Sequence, residues 1–394
     1  MMLSTTLAHA DTFATNLYAT LAKRPGNLFF SPASVRLALS MTYAGARGET
    51  AAQMKKTLEL PAGSAAHEAF AAQLGRWNTL ANPVDDNAQR AADPSMQKYY
   101  EDELARRSIV LSVVNRLWLQ RGKHLVADYT QLVRRDYHAG VEQLDFAASE
   151  PSRAIINKWV SDATHGKIKT LISPGVLDAD TKLVLTNAIY FKASWTSQFQ
   201  AAHTKQGPFT TSDRPVQVPL MQQVGHFSIA DLPTAQVLEL PYGDGDLVMD
   251  VVLPKKSLAD VEPHLASLPS WLGALKPARV DVTLPRWKTT SALELGGPLQ
   301  GLGMKDAFHY PAADFSGIDG SRDLYISAVV HQAVVEVDEQ GTEAAAATAV
   351  AMRAGGRPPS DEPVVFRADH PFVYVIRDAK TNAVLFMGRL SNPL

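Results

Sequence analysis

The chain has 394 residues, of which 46% are apolar and 20% charged, and its formal net charge is -2. This is the composition of a globular protein with ample core, and it gives no electrostatic case for binding nucleic acid or a membrane surface. The sequence contains no cysteine, which excludes a disulfide framework, a thiolate nucleophile and a cysteine-based metal site.

Helical patterns dominate the first part of the chain. Apolar residues recur at helical spacing from about Thr6 to Leu21. Ser31 and Pro32 predict the start of a second helix, because serine caps helices and proline fits the first turn. This helix should run from Ala33 to about Tyr43 and be buried, because it is apolar on nearly every side.

Two further helices and one insertion are predicted next. The spacing from Thr50 to Gln53 is that of a capping box, which predicts a third helix ending near Leu60. Asn82 to Ser108 is polar and charged, which is typical of a surface insertion. A later helix is predicted near Ser152 to Thr164.

Strand patterns become frequent after the insertion. Alternating apolar residues predict strands at Ile109 to Leu119, Val237 to Tyr242 and Leu247 to Leu253. The last two flank Gly243 to Asp246, which predicts a hairpin. Helices early and strands late favour an α+β fold over a parallel βαβ array. Since no linker or internal repeat divides the chain, we expect a single domain over residues 1–394.

The most informative segment joins two strand-like runs near the C-terminus. Leu324 to Val337 and Val364 to Ile376 are rich in β-branched residues. Between them, Gln340 to Pro363 contains few side chains large enough to pack a core. A structureless connection of that length inside a compact domain is usually functional or disordered.

Read with a period of two, this segment has the pattern of a strand with one buried and one solvated face. The charged Glu343 and Arg353 fall on one face. The other face carries uncharged residues: Thr342, Ala344, Ala346, Thr348, Val350, Met352 and Ala354. The pattern favours a strand that forms conditionally over an alanine-rich helix or a linker, although the alanine run has helical propensity.

Sequence signatures of common enzymes are missing. There is no Gly-x-Ser-x-Gly elbow, no His-Glu-x-x-His helix and no phosphate-binding Gly-Lys-Ser/Thr loop. A hydrolase built on Ser31 or Ser34 with His331 would lack both an elbow and an oxyanion motif. We therefore expect a protein that is not an enzyme and that needs no cofactor and no metal.

Several motifs together resemble the serpin family. The stretch from Glu339 to Thr348 is similar to the proximal reactive-loop hinge of inhibitory serpins. Other family motifs follow in order over nearly the whole chain. They are Asn27 to Ser34, Leu185 to Trp195, Asp314 to Ile318, His370 to Phe372 and Phe386 to Pro393. The resemblance implies a single α+β domain with three β-sheets, of which sheet A is the large central one. It also implies about nine helices and an exposed reactive-centre loop at about residues 340–363.

The resemblance also assigns three groups of residues. The hinge would comprise Glu339, Gly341, Thr342, Glu343, Ala344, Ala345, Ala346, Ala347 and Thr348. The shutter, a polar cluster under the central strands of sheet A, would comprise Ser31, Ser34, Asn187 and His331. Without the resemblance, a lone histidine in a strand reads as a hydrogen-bonded core residue. The breach, where insertion begins, would contain Trp195 and Arg286, with Arg286 paired to Glu339 as a surface ion pair.

Family spacing from Glu339 places the reactive bond at Gly355-Gly356. Arg353-Ala354 is the alternative, which would suit a trypsin-like protease but would shorten the inserting arm by two residues. Arg357 has suitable chemistry, but it precedes Pro358, which most serine proteases reject at that position. The spacing favours Gly355-Gly356.

The resemblance implies a suicide-substrate inhibitor. A target serine protease would be held as a covalent acyl complex when the cleaved loop inserts into sheet A. Alternatives are a non-inhibitory serpin, acting as a carrier or chaperone, and a cross-class inhibitor of papain-like cysteine proteases. The small, uncharged inward face of the hinge favours inhibition. We expect a monomer that binds neither nucleic acid nor membrane.

The start of the chain bears on its location. Met1 to Leu7 lacks the basic start and apolar block of a signal peptide. We expect a cytoplasmic protein if this N-terminus is complete, and an extracellular or periplasmic one if a leader has been removed.

Overall fold

The computed structural model describes residues 3–61, 63, 65–81, 109–164, 166–342 and 362–394. In these ranges the chain forms nine α-helices and 15 β-strands. The helices are α1 (Leu3–Leu21), α2 (Pro32–Gly45), α3 (Gly48–Thr57), α4 (Ala65–Ala81), α5 (Ala127–Tyr137), α6 (Ser149–Ala163), α7 (Leu268–Leu272), α8 (Gly296–Gly301) and α9 (Ser316–Asp319).

The strands alternate with these helices early in the chain and dominate its second half. They are β1 (Leu28–Phe30), β2 (Ile109–Gln120), β3 (Gly140–Leu144), β4 (Leu183–Ser194), β5 (Lys205–Thr210), β6 (Pro215–Asp231), β7 (Ala235–Tyr242), β8 (Leu247–Pro254), β9 (Lys276–Pro285), β10 (Trp287–Glu294), β11 (Ile326–Val337), β12 (Gly341–Thr342), β13 (Val364–Arg367), β14 (Phe372–Asp378) and β15 (Val384–Leu390). The α+β class and the hairpin of β7 and β8 are confirmed.

Local sequence explains the start of α2 but not that of α3. The Ser31 hydroxyl accepts the backbone N–H of Ser34, and Pro32 occupies the first turn, as predicted. The predicted capping box at Thr50 is wrong, because α3 begins at Gly48 and Thr50 lies inside it. The Thr50 hydroxyl instead accepts the backbone N–H of Asp314 at 2.9 Å. The hydroxyl that the local spacing assigned to a helix cap therefore makes a tertiary contact. The predicted insertion at 82–108 lies outside the described residues.

Six strands form the sheet that we call sheet A, in the order β10-β11-β12-β4-β2-β3. Its central strands β4 and β11 run parallel, with Leu185 opposite Val329 and Tyr190 opposite Val334. Because β4 and β11 are parallel, one additional strand between them can pair antiparallel with both.

The other nine strands form one hydrogen-bonded network, in the order β1-β15-β14-β8-β7-β6-β9-β13 with β5 on β6. The 17-residue strand β6 belongs to both halves of this network. It pairs with β5 and β9 along most of its length and with β7 only at Ser228 to Asp231. The network thus consists of two sheets joined through β6, which is consistent with the expected three-sheet fold.

Apolar side chains form two cores. The larger lies among sheet A, the nine-stranded network and the N-terminal helices. The smaller lies under α6, where Ile156 and Val160 pack against Trp118, Val184 and Val330. Because Val184 is on β4 and Val330 is on β11, the core under α6 spans the seam between the two central strands. None of the helices in the described ranges is long and apolar enough to cross a membrane.

Candidate functional site

Strands β4 and β11 separate at one end of sheet A. Their direct pairing ends where Tyr190 lies opposite Val334. Beyond that point the two-residue strand β12 lies between them, with Thr342 paired to Val337 of β11 and to Ala193 of β4. Both pairings are antiparallel. Gly341 and Thr342, the first residues of the predicted hinge after the turn, therefore lie between β4 and β11 as an additional strand.

Thr342 faces inward and is fully buried. Its hydroxyl lies 2.7 Å from the hydroxyl of Tyr242, the last residue of β7. The Tyr242 ring stacks on Trp195 with centroids 4.4 Å apart, and it packs edge-on against Phe191 at 5.3 Å. Burial raises the pKa of Tyr242 far above its usual value, so its hydroxyl stays protonated and can donate a hydrogen bond.

Gly341 is required by the close approach of β12 to β4. Its φ is +153°, and a Cβ at this position would lie 2.1 Å from the carbonyl oxygen of Ala193. No side chain fits in that space, so a glycine is needed if the hinge is to dock.

Glu339 and Arg286 meet beside the hinge. The Arg286 Nε donates to both carboxylate oxygens of Glu339, at 2.8 and 2.7 Å, and the Thr204 hydroxyl also donates to Oε1. Burial acts to raise the pKa of Glu339, but these hydrogen bonds outweigh it and hold the pKa below its usual value.

The expected surface ion pair needs correction. The Glu339 side chain is only 8% exposed, whereas that of Arg286 is 43% exposed. The acid is buried because its turn is tied down: its carbonyl accepts the backbone N–H of Phe199 at 2.9 Å, and the Gln340 carbonyl accepts that of Trp195 at 2.8 Å. Docking of the hinge thus places the carboxylate beneath the protein surface.

Trp195 also binds the turn that contains Glu339. Its indole Nε1 donates to the Asp338 carbonyl at 3.0 Å. The Asp338 side chain accepts the backbone N–H groups of Gln340 and Gly341 at 2.8 and 3.2 Å. This arrangement is an Asx turn, and the order Asp338 to Gly341 is the local signal that could have revealed it.

The four predicted shutter residues meet in one buried cluster. His331 lies opposite Asn187 in the parallel register of β4 and β11. The His331 Nε2 accepts the backbone N–H of Ser31 at 3.0 Å, so Nδ1 carries the proton and donates to the side-chain oxygen of Asn187. The Asn187 amide donates to the Ser34 hydroxyl at 2.5 Å and also to Asn115. Burial lowers the pKa of His331 to about 3, so the imidazole is neutral near pH 7.

Sequence reasoning missed Tyr242, Thr204 and Asn115. Tyr242 ends a strand of the other sheet, and Asn115 is one of several polar residues on β2, so neither carried a local signal. The remaining hinge residues from Glu343 to Thr348 lie outside the described residues, as do both candidate reactive bonds, Gly355-Gly356 and Arg353-Ala354. Within the described part of the chain, no cluster of three or more histidine or acidic side chains could hold a metal ion.

Comparison with known proteins identifies the family. A family model described as "Serpin (serine protease inhibitor)" matches residues 8–393. The chain belongs to the serpin family. A serpin-like protein of Thermococcus kodakarensis is 38% identical over 97% of this chain and 84% of its own length. A leukocyte elastase inhibitor of Xenopus tropicalis is 37% identical over 93% of each chain.

Solved serpin structures match the fold over the whole chain. Serpin48 of the insect Tenebrio molitor is similar with a TM-score of 0.84 and 27% identity, over 100% of this chain and 99% of its own. Uncleaved ovalbumin is similar with a TM-score of 0.83 and 30% identity, over 98% of this chain and 100% of its own. This serpin therefore has the serpin fold that its sequence motifs predict.

Proposed function

We propose that this serpin inhibits a serine protease as a suicide substrate. The observation that carries the proposal is the pairing of Thr342 with β4 and β11 at once. A loop that inserts into sheet A after cleavage needs this starting register, antiparallel to two parallel strands. The relatives named as elastase inhibitors support a protease as the partner.

Cleavage of the loop would supply the covalent link. The protease serine attacks the carbonyl carbon of Gly355, the bond to Gly356 breaks, and the new amine leaves with a proton from the protease's general acid. The product is an ester that joins the protease to Gly355. The arm from Thr342 to Gly355 would span about 45 Å as a strand at about 3.3 Å per residue. This arm of 14 residues is longer than the 12-residue strand β11, so insertion would carry the tethered protease the length of sheet A.

The buried polar cluster gives a physical reason why the seam can open. His331 and Asn187 face each other across β4 and β11, and their hydrogen bond must break if a strand enters. Each such bond contributes about 0.5–1.5 kcal/mol net. The donors and acceptors of this cluster can form hydrogen bonds with the backbone of the inserted strand, whereas an apolar seam could not.

Moving the protease active site by about 1 Å can slow deacylation about a hundredfold.

Incubation with trypsin-, elastase- and subtilisin-like proteases tests the proposal. We expect one of them to form an adduct that survives boiling in detergent, and mass spectrometry of the released C-terminal peptide to identify the cut bond. Cleavage of the loop without an adduct by every protease would contradict inhibition and leave a non-inhibitory role. Papain is incubated in parallel, and an adduct with papain alone would replace the serine protease by a cysteine protease as the target class.

A further inference from the structure

We propose that the Tyr242 hydroxyl latches the hinge in sheet A before the loop is cut. Its hydrogen bond to the Thr342 hydroxyl is the only one that a buried tyrosine makes to β12 among the described residues. Tyr242 belongs to β7 of the nine-stranded network, so this bond joins the hinge to a second sheet. The effect of this bond on inhibition rests on the proposed function. Its effect on the docking of the hinge does not.

Tyr242 is held rigidly enough to act as a fixed anchor. Its ring lies between Trp195 and Phe191. The chain on either side is tied to the end of β4 and the residues that follow it: the Pro241 carbonyl accepts the N–H of Thr196 at 2.9 Å, and the Ser194 carbonyl accepts the N–H of Gly243 at 2.9 Å. A hydroxyl on such a support selects one position for its partner, which is a property of preorganised sites.

The described part of the docked hinge is two residues long, so one hydrogen bond is a large share of its contacts. The strand β12 has two residues and only Thr342 pairs with both neighbours. Below it, no described strand lies between Phe191 and Val335, where β4 and β11 have already separated. A two-residue strand is shorter than the usual length of about 3–10 residues, so we expect the latch to shift the balance between the docked and released hinge.

The latch would also serve the proposed reaction. A docked Thr342 has already made the first pairing of the inserting strand, so insertion can start without a search for register. After cleavage, insertion competes with hydrolysis of the acyl-enzyme. A released hinge would start later, and more inhibitor would be consumed as an ordinary substrate for each protease trapped.

Hydrogen exchange of the uncleaved protein tests the latch without a protease. The variants are Tyr242→Phe, Thr342→Val and the double variant, and the readout is exchange in the peptide covering residues 338–342. We expect each single variant to exchange about 2- to 10-fold faster, the range of one hydrogen bond. The double variant should exchange no faster than the faster single one, because both substitutions remove the same bond.

Two further variants calibrate this experiment. Tyr129→Phe removes another buried tyrosine hydroxyl, which donates to the Met41 carbonyl at 3.1 Å away from the hinge, so it should leave hinge exchange unchanged. Gly341→Ala forces release through the clash with Ala193 and should set the upper limit of hinge exchange. Equal exchange in Tyr242→Phe, Tyr129→Phe and the natural protein would overturn the latch, as would additive effects of Tyr242→Phe and Thr342→Val.

The positioning role of Tyr242 is tested with a protease that forms the adduct. The measurement is how the inhibitor partitions between trapping the protease and being cleaved as a substrate. Tyr242→Phe should raise the number of inhibitor molecules consumed per protease about 2-fold or more, while kcat/KM for loop cleavage stays the same. Faster hinge exchange with unchanged partitioning would overturn the positioning role. If no protease forms an adduct with the natural protein, the proposed function fails, and faster hinge exchange in Tyr242→Phe would still support the latch.

Discussion

Thr342 has no room for a charged side chain. It is fully buried between β4 and β11, with its hydroxyl against Tyr242. We predict that Thr342→Arg leaves the loop cleavable but blocks docking, because an unpaired buried charge costs several kcal/mol. The number of inhibitor molecules consumed per trapped protease should rise at least about tenfold.

The matched control for this variant is Glu343→Arg. It places the same side chain one residue later, on the face that the period-two pattern predicts to be solvated. We expect near-normal trapping by this control. If Thr342→Arg traps its protease with unchanged stoichiometry, insertion does not begin at this residue.

His331 should make the uncut protein less stable in acid. Its pKa is about 3 when folded, against about 6.5 in an unfolded chain, so the unfolded state binds more protons between these values. The stability contributed by the neutral imidazole is fully present above pH 6.5 and is lost as the pH falls toward 3. One proton corresponds to about 1.36 kcal/mol per pH unit, or about 2 kcal/mol between pH 6.5 and 5.

Urea unfolding at pH 6.5 and pH 5 checks this prediction. His331→Gln keeps a polar side chain at the seam but does not titrate, so its loss of stability over this interval should be smaller by about 2 kcal/mol. His67, whose pKa burial also lowers, is present in both proteins and cancels in the comparison. Parallel pH dependences would show that His331 does not titrate on unfolding.

The four residues of the shutter cluster and the inward position of Thr342 were predictable because their chemistry is local or matches a motif. Small uncharged residues at alternate positions and Ser31 before Pro32 can be read along the chain. Tyr242 could not be found in this way, because its partner Thr342 is 100 residues away and in another sheet. The burial of Glu339 was also hidden, because it follows from the docking of the turn against Phe199 and Trp195.

At the scale of elements, periodicity predicted strands and helices well where a buried face dominates. Strands β2, β7 and β8 lie within two residues of their predicted bounds. The start of α3 was wrong because Thr50 serves a segment more than 260 residues away. The sequence did not predict that β12 is docked in the uncut chain, because this docking depends on the separation of β4 and β11 beyond Tyr190 and Val334.

The seam between β4 and β11 should accept a strand that is supplied from outside. We predict that a synthetic peptide with the sequence of residues 342–355 binds between them in the uncut protein. Its alternating small residues suit a position flanked by two strands. Bound peptide should raise the melting temperature and abolish protease trapping, because it fills the position that the loop needs.

The control peptide carries arginine in place of the threonine that corresponds to Thr342. It has the same length and alanine content, so it tests whether binding follows the register seen in β12. It should neither stabilise the protein nor block trapping. Equal effects of the two peptides would mean that binding does not use this register.

At the scale of the whole molecule, sheet A joins β4 directly to β11 over most of their length, although its open end already holds two residues of a further strand. The core under α6 spans this seam, so complete insertion requires α6 to yield while the strands part. An uncut protein with this arrangement would be kinetically held in a state above its lowest free energy.

We therefore predict that cutting the loop makes the protein more stable. A new strand of about 14 residues would form hydrogen bonds at both edges, and each of these bonds contributes about 0.5–1.5 kcal/mol net. The melting temperature of the nicked protein should exceed that of the uncut protein by about 10 °C or more at one scan rate. Nicked Thr342→Arg has the same break but cannot start insertion, so it should show no such rise. A nicked natural protein that melts with the uncut one would mean that the arm stays outside sheet A, and trapping by insertion would then be excluded.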